Sequence, residues 1–122
     1  MNKIGSWWLA PMEAQAHEQV QWSALANHTQ GPLRSISGRV YLTNQRLLFC
    51  PNRLDHSLGS RNWAVDLQEI AGVDRHPRGG DVMSILGGGG RDRLRVTLRS
   101  GPSELFIVND LDQTIQRLRA AL

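Results

Sequence analysis

A chain of 122 residues with 40% apolar and 20% charged side chains is long enough for one hydrophobic core and too apolar to remain unfolded by composition. Its net charge of +3 is too mild to argue by itself for a nucleic-acid partner, and the lone Cys50 excludes an intramolecular disulfide. No apolar run approaches the ~18 residues of a membrane-spanning helix. The apolar patch 4–10 is broken by Gly5 and Ser6 and makes a weak signal peptide. The expectation is a cytoplasmic protein, or one peripheral to a membrane.

In chain order, residues 1–16 carry the bulky triplet Trp7-Trp8-Leu9, then Pro11. Two tryptophans without an amphipathic continuation read as an extension docked on the domain, covering an edge or an end. An exposed anchor for a membrane interface is the alternative, with only Lys3 nearby to support it. Residues 17–28 alternate Val20, Trp22, Ala24 and Ala26 with Gln19, Gln21, Ser23 and Asn27, a strand period, although no Gly or Pro excludes a helix. Thr29-Gln30-Gly31-Pro32 is a turn. The second strand covers 34–42 and the third 46–51, joined by the polar turn Thr43-Asn44-Gln45-Arg46. A polar loop follows at 52–60. The fourth strand, 61–66, turns Trp63 and Val65 inward.

Residues 67–69 form a bend, and a fifth strand runs over 70–76 with a bulge at Gly72. The longest loop, 77–91, holds the apolar stretch 82–86 and the run Gly87-Gly88-Gly89-Gly90. In the sixth strand Leu94, Val96 and Leu98 alternate with Arg93, Arg95, Thr97 and Arg99. The seventh, 103–109, is apolar on both faces and needs an outer cover. A helix at 111–122 supplies it: Asn109 or Asp110 is the N-cap, Asp110 with Gln113 resembles a capping box, and Leu111, Ile115, Leu118 and Leu122 recur as one stripe. Each such side chain buried stabilises by ~1.5–3 kcal/mol, more than a surface ion pair, so the stripe packs inward.

Seven short strands, no crossover helix and a final helix make the chain mainly β, with an antiparallel barrel or sandwich. Gly38-Arg39-Val40-Tyr41-Leu42-Thr43-Asn44-Gln45-Arg46-Leu47-Leu48-Phe49 resembles the motif of GRAM domains. Trp63-Ala64-Val65-Asp66-Leu67-Gln68-Glu69-Ile70-Ala71-Gly72-Val73, Leu94-Arg95-Val96-Thr97-Leu98 and Phe106-Ile107-Val108-Asn109 extend the resemblance over 17–122. GRAM domains belong to the pleckstrin-homology-like superfamily. The resemblance implies a seven-stranded antiparallel, partly open barrel capped by one C-terminal helix, and a binding module without enzymatic activity or cofactor. It implies a protein partner or self-association as homo-oligomer. The alternative it implies is peripheral binding to anionic lipid or phosphoinositide headgroups through loop arginines: Arg34, Arg53, Arg61 and Arg99, with His28 and His56 beside them.

The residues support this division of classes. His17, His28, His56 and His76 are dispersed without metal-ligand spacing, so no metal site is expected. Cys50 lies in an apolar strand without a nucleophile signature. The glycine run lacks the Lys-Ser/Thr and the strand-to-helix context of a phosphate loop and reads as a flexible connector. Residues 31–54 carry Arg34, Arg39, Arg46 and Arg53 and no acidic residue, and Arg91, Arg93, Arg95 and Arg99 face one Asp92 in the second basic segment. Arg39 and Arg46, inside the hairpin, read as structural. The second segment lacks the interleaved aromatics of single-strand nucleic-acid binders, so a nucleic-acid partner is not expected.

Overall fold

The computed structural model describes residues 2–31, 34–77 and 92–122. The readings made for the glycine run and for the stretch 82–86 lie outside the described residues. The elements are β1 (Lys3–Ile4), β2 (Met12–Glu13), β3 (Val20–Thr29), β4 (Ser35–Thr43), β5 (Arg46–Pro51), α1 (Arg53–Ser57), β6 (Trp63–Asp66), a 3-10 turn (Leu67–Glu69), β7 (Ile70–His76), β8 (Arg93–Leu98), β9 (Ser103–Val108) and α2 (Leu111–Arg119). Strands β3 to β9 form one antiparallel sheet in the order β6-β5-β4-β3-β9-β8-β7. β6 and β7 are consecutive in the chain yet occupy opposite edges. The sheet is therefore a partly open barrel.

Both halves of the sheet turn their apolar faces to one core. Val40, Leu47 and Phe49 meet Val73, Leu94, Val96 and Phe106 there, with Trp63 and Val65 packed against it. Bulges at Val20/Trp22 and Ile70/Gly72 bend the strands that must curve most. Gly38 sits where β4 presses on β5: a Cβ there would lie 2.2 Å from the Cys50 carbonyl oxygen and 2.8 Å from the Phe49 ring. Only glycine admits that approach.

Helix α2 caps the barrel. Ile115 and Leu118 join the same core cluster as the inner strand residues, so the helix plugs an end of the barrel instead of covering the outer face of the last strand. The expected stripe shifts accordingly: Thr114 is buried, and Leu122, beyond the helix end, is exposed. Asp110 occupies the N-cap position but its side chain makes no cap bond, so the capping box does not form.

Residues 2–16 pair β1 with β2 and lie over the outer face of the central hairpin. Ile4 and Leu9 bury with Tyr41, Leu48 and Cys50 in a second cluster. The β4–β5 turn holds the chain that follows. Arg46 donates to both Glu18 carboxylate oxygens at 2.8 and 3.0 Å and to the Glu13 carbonyl at 2.8 Å. The Thr43 hydroxyl donates to Glu18 at 2.7 Å and accepts the Gln45 and Arg46 amides. Asn44 and Gln45 bind the His17 and Ala16 carbonyls. The Thr-Asn-Gln-Arg run is thus a clamp as well as a turn.

Candidate binding surface

The surface is built where β5 ends. Pro51 cannot donate to a sheet ladder, and Asn52 then turns the chain into α1. Asn52 accepts the Asp55 amide at 2.9 Å while its own amide group donates to the Asp55 carboxylate at 2.8 Å and the Ser37 carbonyl at 2.9 Å. Gly59, at φ +104°, ends the helix in the left-handed region. The segment expected as a polar loop is therefore a capped helical turn. No residue of α1 is buried, and Leu54 and Leu58, four apart, stand 70% and 65% exposed.

Trp7 joins them. Its carbonyl accepts the Arg53 Nε–H at 2.6 Å, and the Trp8 carbonyl accepts the Arg53 amide at 3.0 Å. Leu9 beyond is fully buried, which anchors the segment, yet the Trp7 residue is 85% exposed. The three most exposed large apolar residues described thus lie on α1, at its C-terminal end and on the segment that Arg53 holds. Water-exposed Leu and Trp side chains gathered this way mark interaction surfaces far more often than scattered ones do.

Arg34 and Arg61 border this patch. Arg34 donates to the Ser60 hydroxyl at 3.1 Å, and Ser60 in turn bonds the Asp55 carbonyl. Arg61 is held through its backbone: the Gln30 amide accepts its N–H at 3.0 Å and donates to its carbonyl at 2.8 Å. That double contact fixes which way the Gln30 amide points. Its nitrogen therefore donates to His28 Nδ1 at 3.1 Å, leaving the His28 proton on Nε2, aimed at Glu104 at 3.3 Å. His28, stacked on Phe106 and edge-on to Phe49, is buried at the floor of a cavity of about 120 Å³ lined also by Arg61, Asn62 and Trp63.

Arg34, Arg53 and Arg61 are thus brought to one end of the barrel, and no carboxylate among the described residues ion-pairs with any of them. Arg99 lies elsewhere. It donates to the Gln68 carbonyl at 2.7 Å and sits with the β6–β7 connection. In the second basic segment Arg95 grips Asp74 through two bonds at 2.7 and 2.8 Å, holding that carboxyl below its usual range, and Arg93 is buried. Arg75 bridges Asp92 and Asp112. Cys50 stays inside the second cluster, where burial pushes its thiol up to about 11. Among the described residues no three His, Cys, Asp or Glu side chains gather as a metal site.

Leu54 and Leu58 were missed in the sequence because the segment reads as polar overall. The signal was present as Asn52-x-x-Asp55, two leucines four apart, then Gly59.

No protein-family model matches the chain, and no curated protein matches it in sequence. Solved structures match its fold. The C-terminal domain of an unknown protein from Leishmania infantum superposes with a TM-score of 0.63 at 15% identity, over 87% of this chain and 85% of that one. The Vps36 N-terminal PH domain gives a TM-score of 0.58 at 16% identity, over 91% and 83%. The hSac2 domain from human phosphoinositide phosphatase Sac2 gives 0.58 at 11% identity, over 88% and 69%. The fold is pleckstrin-homology-like.

Proposed function

We propose that this chain is a non-catalytic binding module of GRAM type that docks peripherally on anionic membrane surfaces. The observation that carries the reading is the coincidence, at one end of the barrel, of Trp7, Leu54 and Leu58 with three arginines that no carboxylate among the described residues neutralises. Tryptophan and leucine partition into the headgroup boundary, and arginine forks match phosphate oxygens. The pleckstrin-like fold supports a binding role, and the motif at 38–49 supports the GRAM assignment. Among the described residues no helix is long and apolar enough to cross a membrane, so the attachment proposed is to the surface.

Flotation with liposomes tests it. The chain should rise with phosphatidylserine- or phosphoinositide-containing vesicles and not with neutral phosphatidylcholine, and should detach as salt rises. Each arginine contributes about 1 kcal/mol near such a surface, so changing Arg34, Arg53 and Arg61 together to Gln should weaken binding roughly a hundredfold. Trp7→Ala with Leu54→Ser should also weaken it, with little change in the salt dependence. Equal or absent binding to both vesicle types refutes the reading.

A further inference from the structure

A second feature lies apart from that end of the barrel. β3 is ten residues long and pairs with β4 along nearly all of it. On its other edge it pairs with β9 only from Ala26 to His28, because β9 ends at Val108 and the chain turns away into α2. From residue 25 back to 20 that edge has no strand neighbour among the described residues. An unpaired edge is a template for another extended chain, and folded proteins ordinarily cover or blunt it. Here it faces an open groove of about 590 Å³ between β3 and α2, floored by Trp22, Ala24 and Val108 and walled by Gln113, Thr114 and Arg117.

The charges at the two ends of the groove differ in sign. Asp110, two residues beyond the end of β9, makes neither a cap bond nor an ion pair among the described residues. Arg117, seven residues along α2, reaches only the Gln21 carbonyl, at 3.3 Å, and no described carboxylate. A chain continuing the line of β9 would run antiparallel to β3. Its N-terminal end would start near Asp110 and its C-terminal end would finish near Gln21 and Arg117.

We propose that the β3–α2 groove binds an extended peptide of a partner protein by strand addition, antiparallel to residues 21–25, with a carboxylate at the peptide's C-terminal end received by Arg117. Backbone bonds to the edge supply the general affinity, as in other strand additions. Alternate peptide side chains face Trp22, Ala24 and Val108 and select apolar, β-branched residues there. The carboxylate is either the chain terminus or an acidic side chain. The site needs no contact with the arginines at 34, 53 and 61, so it does not depend on membrane docking.

The test is panning of the full chain against a phage-displayed hexapeptide library with free C-termini. Selected peptides are then synthesised with free or amidated ends and measured by fluorescence polarisation, with amide exchange read by NMR. The expected result is micromolar binding and at least tenfold slower exchange within residues 21–25. Arg117→Gln should weaken binding roughly tenfold while leaving the unfolding midpoint unchanged. Amidation that abolishes the effect of R117Q identifies the chain terminus as the carboxylate, whereas insensitivity to amidation with loss on removing an acidic side chain identifies the latter. Failure to select any peptide, or protection confined to residues 53–61, overturns the proposal. So does R117Q binding every selected peptide as tightly as the unmodified chain. A chain that floats with anionic vesicles yet selects no peptide would refute this groove alone.

Discussion

Replacing Gly38 by alanine places a methyl carbon 2.2 Å from the Cys50 carbonyl oxygen, 2.8 Å from Phe49 Cζ and 2.9 Å from the Pro51 Cα. Two of these neighbours are backbone, and the third is a ring packed with no exposure in the core. An unstrained carbon–oxygen contact needs about 3.3 Å, so β4 and β5 must part by roughly 1 Å at this point. Overpacking of this kind costs ~1–3 kcal/mol. The parting also strains the Asn52 amide bond to the Ser37 carbonyl at 3.0 Å, which contributes ~1 kcal/mol. Together the loss is about 3 kcal/mol, a large part of the ~5–15 kcal/mol that holds a domain folded. With a urea slope of ~1.5 kcal/mol/M the midpoint should fall by roughly 2 M. Gly72 is the control, since a Cβ there meets nothing within 4 Å. Gly72→Ala should shift the midpoint by less than ~0.5 M, in either direction. A Gly38→Ala protein as stable as the unmodified chain would refute the close approach of the two strands.

Three further outcomes are expected. Burial pushes the Glu18 carboxyl up, but the Arg46 guanidinium, the Gln15 amide and the Thr43 hydroxyl outweigh it and hold it below its ordinary 4.5. Its contribution is therefore full above about pH 4.5 and is lost as pH falls through the lowered native value. Glu18→Gln should cost ~3 kcal/mol at pH 7 and flatten that stretch of the stability–pH curve, and an unchanged acid limb would count against the pair. Cys50 should resist thiol reagents at pH 8 in the native state and react fully in denaturant; rapid native labelling would contradict its enclosure under residues 4–9. Long-range proton–nitrogen NMR should find neutral His28 protonated at Nε2, and a spectrum of the other tautomer would mean that the Gln30 amide does not clamp Arg61 as described.

Strand positions were legible wherever one face is wet and the other buried. β8, with Leu94 and Val96 fully buried against a half-exposed Arg95, is the clearest case. The hairpin 38–51 was legible because two apolar, β-prone runs flank a polar turn, although β5 itself is buried on both faces. The helix stripe was read one turn too far: Leu122 belongs to the sequence period, but the helix ends before it, and only Ile115 and Leu118 of the stripe are buried in the core. The role of Arg46 as a clamp on Glu18 depends on residues 28 positions apart in the chain, which no local pattern carries. The binding end was half legible. Arg34, Arg53 and Arg61 follow from loop positions, whereas the neutralisation of Arg95 and Arg75 that sets those three apart appears only once strands and α2 are packed. Leu54, Leu58 and Trp7 were visible as residues but not as neighbours.

The pairing of Ala26 with Val108 has a consequence for how the chain is made. β3 sits at the centre of the sheet, and one of its two partners is β9, the last strand of that sheet in chain order. At roughly 5–20 residues per second, synthesis leaves that edge bare for about 4–16 s after β3 emerges. During that time β3 to β6 can assemble as a set of sequential hairpins, but β7 and β8 have nothing to join them to it. A chain halted between Leu98 and Ser103 therefore holds two sets of strands, β3 to β6 and β7 to β8, with nothing to join them. This is the window in which a nascent-chain chaperone would matter most.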